Sequence, residues 1–131
     1  MLSKEQLERA KVTKLSENFT LYELIKSDSY PELVEWPSDA VIEKLRNFTM
    51  NVLQPLRDKF GALRINSGYR NLVLNKRVGG VGNSVHMIFD KGVEFLGVAA
   101  DIVPVQAPII DVFNWAFAHL PIKTAIIYRK K

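Results

Sequence analysis

Two side chains in this sequence have the chemistry of metal ligands and stand where small residues let a substrate come near. His86 follows a glycine-punctuated stretch, Gly79-Gly80-Val81-Gly82-Asn83-Ser84, and offers an imidazole nitrogen. Asp101 closes the run Gly97-Val98-Ala99-Ala100 and offers carboxylate oxygens. The chain has no cysteine, which rules out a thiolate zinc site and a disulfide framework. A zinc ion would have only His, Asp, Glu and water to bind it. Residue types alone leave a plainer reading open. A single histidine near a strand often serves a structural hydrogen bond, and an aspartate at a strand end often caps a turn.

The elements that must position this pair can be read in order. Residues 1–15 are charged, with Leu2, Leu7 and Val12 as a thin apolar stripe, and predict a helical or frayed lead segment. Thr20 followed by Glu23 fits a capping box, with Phe19 and Leu24 as its hydrophobic staple, and predicts a short helix over 21–26. From Asp39 the apolar residues Val41, Leu45, Phe48, Val52, Leu56 and Phe60 keep helical spacing, which predicts one long core helix, kinked near Pro55 and stopped by Gly61. A short strand follows over 62–66, then the turn Ser67-Gly68-Tyr69-Arg70, then a helix over 71–78 ended by Gly79-Gly80. Strands are expected over 86–89 and 93–102. Asp90-Lys91-Gly92 is a hairpin turn between them, so that 87–96 protrudes as an inserted hairpin. Ile109–Leu120 has helical spacing, and Thr124 to Lys131 reads as a last strand.

Together these segments predict an α+β domain spanning 1–131. A small, mainly antiparallel sheet forms near Arg64, His86, Val98 and Ile126, with helices packed on one side and a metal cleft on the other. A chain of 131 residues suits one core, and 47% apolar with 24% charged residues is ordinary for a globular protein. No apolar run reaches membrane-span length, and the polar amino-terminal residues carry no secretion signal, so the expected location is the cytoplasm of the producing cell. The net charge of +4 is dispersed apart from Arg129, Lys130 and Lys131 and lacks the Arg/Lys and aromatic interleaving of a nucleic-acid groove. No nucleic-acid partner is expected, and the oligomeric state is left open.

The ordered set SGYR (67–70), LN (74–75), VGG (78–80), S-x-H (84–86) and G-x-A-x-D (97–101) resembles the zinc D-Ala-D-Ala carboxypeptidases and L-alanyl-D-glutamate endopeptidases. These are peptidoglycan-cleaving enzymes that include phage endolysins. NFTLYELIKSDS and LQPLRDKFG upstream also look like the phage and prophage branch, so the resemblance covers roughly 16–128. It implies one zinc ion with His86 and Asp101 as two of three ligands. It implies Arg70 as the catalytic arginine near the scissile carbonyl, and Ser84 as a substrate-binding serine. Tyr69, beside Arg70, is expected to pack the turn and border bound substrate. The expected partner is a peptidoglycan stem peptide, met at the cell wall after release or delivery.

Two departures qualify the match. A longer stretch separates His86 from Gly97 than the His-x-x-Gly spacing usual in the family. The family's third ligand is a histidine on a carboxy-terminal strand in a Trp-x-His-like setting, with the general-base carboxylate shortly before it. Here no carboxylate follows Asp111, and the other histidine, His119, lies in FNWAFAHLP on the last helix, where capping the carboxy-terminal end is its expected role. The chain is thus expected to be C-terminally short. The expectations are a zinc-dependent peptidase of stem peptides, inactive if the third ligand and base are truly missing, or a non-catalytic wall-binding or virion protein on the same fold.

Overall fold

A computed structural model describes residues 1–80, 84–87, 89–90, 94–95 and 98–122, with the side chains of 85, 89, 90, 94 and 95 left aside. Helix α1 (Lys4–Val12) starts at Ser3, whose hydroxyl accepts from the Gln6 N–H while the Gln6 side chain takes the Ser3 N–H. The expected stripe is corrected. Val12 is 77% exposed, and α1 meets the core through fully buried Ala10, with Leu2 packed alongside. Strands β1 (Lys14–Ser16) and β2 (Phe19–Thr20) pair antiparallel and run into α2 (Leu21–Ile25). The Thr20–Glu23 capping box forms, and its staple residues Phe19 and Leu24 are buried.

The long core helix is three pieces rather than one. Helix α3 (Asp39–Phe48) is capped by Ser38 and gives way to a π-helical turn over Thr49–Leu53, from which α4 (Gln54–Phe60) continues. The cause is Pro55. It has no N–H for the Asn51 carbonyl, and its ring crowds that carbonyl. Widening the turn so that the Gln54 N–H reaches back to the Thr49 carbonyl accommodates the ring without breaking the helix. The rod ends at Gly61, φ 85°, a backbone region open to glycine.

Strand β3 (Leu63–Ser67) pairs antiparallel with β6 (Asp101–Pro104), and β4 (Phe89–Asp90) with β5 (Glu94–Phe95). Among the described residues there are thus three two-stranded antiparallel ladders. The α+β class is as expected, but the sheet is smaller. His86 lies on a 3-10 turn (Val85–Met87), and Val98 precedes β6 in irregular backbone. The expected strand near Ile126 lies outside the described residues, as do Lys91 and Gly92 of the expected hairpin turn. Helix α5 (Leu72–Arg77) follows β3, and α6 (Ile109–His119) packs on α4 and β6, with Trp115 edge-on to Phe60 at 5.8 Å. Leu15, Leu21, Leu45, Leu53, Ile65 and Leu74 form the centre of the core. No helix among the described residues is long and apolar enough to cross a membrane.

Candidate metal centre

The β3–β6 register places the site. Ile65 pairs with Ile102 and Ser67 with Asp101, so β3 uses two steps where β6 uses one, and Asn66 is the extra residue of a bulge. Asp101 therefore opens β6 rather than ending a strand as the sequence suggested, and lies across from Ser67, next to Gly68. The chain then turns sharply through Gly68, and the Tyr69 N–H donates to the Leu24 carbonyl at the end of α2 (2.7 Å). A Cβ on Gly68 would lie 2.4 Å from that carbonyl oxygen, so only glycine fits the approach.

The Gly68 carbonyl in turn fixes the histidine. His86 Nδ1 lies 2.7 Å from it, and since a carbonyl can only accept, Nδ1 carries the proton. The other nitrogen, Nε2, is thereby the one turned away from the Gly68 carbonyl and stands 3.7 Å from Asp101 Oδ2. This is the arrangement by which an outer hydrogen bond sets the tautomer and aim of a metal-binding imidazole. The spacing also fits. Two donors each ~2.1 Å from one tetrahedral zinc stand about 3.4 Å apart. The His86 side chain is 12% exposed and the Asp101 side chain 44%, so the pair opens to solvent on the carboxylate side.

Arg70 and Ser84 complete the cluster. The Arg70 N–H donates to the His86 carbonyl (2.8 Å), and its Nη2 donates to Ser84 Oγ (3.2 Å). Ser84, nearly buried, also accepts from the His86 N–H (3.2 Å). Arg70 Nε is buried and has no partner among the described residues. Burial lowers the guanidinium pKa from its ordinary value, and the Asp101 charge opposes that shift. Arginine nevertheless stays cationic across the working range. Burial raises the pKa of the Tyr69 phenol.

His86, Asp101, Arg70 and Ser84 are thus brought together, with Tyr69 beside Arg70 along one wall. His119 is not part of the cluster. It lies exposed on the last turn of α6, its ring stacked on Trp115 at 4.9 Å and its Nδ1 3.0 Å from the Trp115 carbonyl. Among the described residues no group of three or more His, Cys, Asp or Glu side chains could hold a metal ion, and the candidate donors that the structure brings together are His86 and Asp101. The contact that sequence reasoning missed is Leu24. A glycine after a strand signals a close approach, but nothing in the sequence names the carbonyl it approaches.

A cleft of about 470 Å³ adjoins Arg70, with Trp36, Val41, Tyr69, Leu72 and Met87 among its walls. In comparisons with known proteins, the chain is similar to the family described as Peptidase M15, whose model matches residues 17–131. No curated protein and no solved structure matches it.

Proposed function

Because the chain belongs to the Peptidase M15 family, we propose that residues 1–131 form a single peptidase-like domain that binds zinc through His86 and Asp101 and acts on peptidoglycan stem peptides at the cell wall. The observation that carries this reading is the Gly68–His86–Asp101 relay, in which a backbone carbonyl engages Nδ1 and leaves Nε2 facing a carboxylate. Zinc held there supplies a fixed positive charge that polarises a peptide carbonyl and acidifies water. Arg70 sets its cation beside the same spot, where it stabilises negative charge developing on the carbonyl oxygen. Ser84 Oγ already accepts twice, from Arg70 and from the His86 N–H, so its single O–H remains to donate to a substrate carbonyl.

The two-donor set favours a second reading. A catalytic zinc usually has three protein ligands, and among the described residues no third His, Cys, Asp or Glu joins His86 and Asp101. On that reading the same cluster holds stem peptides without cutting them. One experiment separates the two: zinc-loaded protein is incubated with purified cell wall, and both retained protein and newly freed amino groups are measured. Release that is lost in His86→Ala supports the peptidase. Retention without release supports the binding protein. Absence of both overturns the wall-directed reading.

A further inference from the structure

Helix α6 is apolar on both sides. Its inner face packs on α4 and β6 through buried Val112 and Ala116, with Trp115 against Phe60. Its outer face is a second stripe at helical spacing: Ile110, Phe113, Asn114, Phe117 and Ala118. Ile110 is 50% exposed and Phe117 65% exposed, and the Phe113 and Phe117 rings stack at 6.3 Å into one flat plate. A surface helix ordinarily carries charge on its outward side, and a helix that is apolar all round is one covered all round. The ionisable side chains of α6 are Asp111, on one flank of the stripe, and His119, which stacks on Trp115 away from it.

We propose that this stripe is the contact surface of a homodimer, in which two copies of α6 cross antiparallel about a two-fold axis at Asn114. The pattern is self-complementary. Ile110 and Phe117 lie about two turns apart on one side of the stripe, with Asn114 between them. Reversal about Asn114 lays Phe117 on the partner's Ile110, and Ile110 on the partner's Phe117. Asn114 meets its own copy on the axis, where two amides hydrogen-bond to each other and fix the register. Asp111, on the other flank, faces the partner's Ala118, which is small enough to leave the carboxylate in water. An anionic polymer or lipid surface finds no cation on this stripe. A second copy brings the matching pattern by symmetry. The stripe offers about 400 Å² per copy, the small end of specific interfaces, so the pairing is weak, with a midpoint of about 10–100 μM. No α6 residue lines the cleft beside Arg70, so both clefts of the pair stay open. One consequence rests on the wall-directed reading above: a wall with repeated stem peptides is held by the pair at two points at once.

The test is sedimentation velocity over a concentration series. The expected result is a rise toward twice the monomer mass through the stated range, abolished in Phe117→Glu and in Ile110→Glu, with circular dichroism unchanged in both. The chain has no cysteine, so Asn114→Cys places a lone thiol on the axis. Facing Cα atoms of helices packed ~8–10 Å apart come within disulfide reach. Mild oxidation should therefore cross-link Asn114→Cys at least about tenfold faster than Val12→Cys, whose site on α1 is 77% exposed. A monomer at every concentration overturns the proposal. So does a dimer that survives Phe117→Glu, or equal cross-linking at the two positions. Retention on purified cell wall, at a concentration where the unaltered protein is dimeric, should weaken at least about tenfold in Phe117→Glu. Equal retention overturns the two-point attachment and leaves the dimer standing. No retention of either protein overturns the wall-directed reading alone.

Discussion

Gly68 and Leu24 meet backbone to backbone: the Leu24 carbonyl accepts from Tyr69 so close to Gly68 that a Cβ would sit 2.4 Å away. Neither partner can yield by rotating a side chain. Gly68→Ala should therefore cost about 1–3 kcal/mol of stability, the usual range for forced overpacking. It should also weaken zinc binding about 10- to 100-fold, because the displaced carbonyl is the one that orients His86. Urea unfolding and zinc titration against a chelating dye measure the two effects separately.

Removing a donor should act on the metal alone. His86→Ala and Asp101→Ala should each weaken zinc binding by more than about a hundredfold, beyond the loss expected for an outer-shell partner. Far-ultraviolet circular dichroism should remain that of the unaltered protein. Asp101→Asn, which keeps the shape and removes the charge, should fall between the unaltered protein and Asp101→Ala in the same titration.

The cap of α2 offers the converse case. Thr20→Ala removes the hydroxyl that accepts from Glu23 and should cost about 1 kcal/mol of stability. Zinc affinity should stay unchanged in the folded protein, because the Leu24 contact with Gly68 and Tyr69 lies at the other end of the helix. A drop in zinc affinity well below the melting transition would count against this separation.

Tyr69 should govern part of the alkaline limb of stability. Burial raises its pKa above that of the unfolded chain. Its contribution is complete below the unfolded value, about 10, and is lost as pH rises through the higher folded value. The unfolded state releases the proton first and is thereby favoured. Denaturant midpoints measured upward from pH 9 should fall more steeply for the unaltered protein than for Tyr69→Phe.

The local parts of this fold were legible because their signals are local. Thr20 with Glu23 and Gly61 after α4 each act within a turn or two of backbone, and the structure shows each in that role. His86 and Asp101 were legible as a pair only through the spacing of a whole motif set. What the sequence hid was decided at long range. The bulge at Asn66 depends on the register of β3 against a strand more than thirty positions away, and it moved the start of β6 to Asp101. Pro55 announced a disturbance in the helix, but a kink and a π-helical turn both accommodate the same missing N–H, and nothing local in the sequence chooses between them.

Asn71, in the wall of the cleft beside Arg70, has a consequence for how that cleft can respond to an occupant. Its side-chain oxygen accepts from Leu74 (2.8 Å), starting α5, while its side-chain nitrogen donates to the Leu33 carbonyl on the facing segment (2.8 Å). A single planar amide thus ties the two segments together. Parting the two segments at this point breaks the hydrogen bond to Leu33, so an entering peptide meets resistance to widening there.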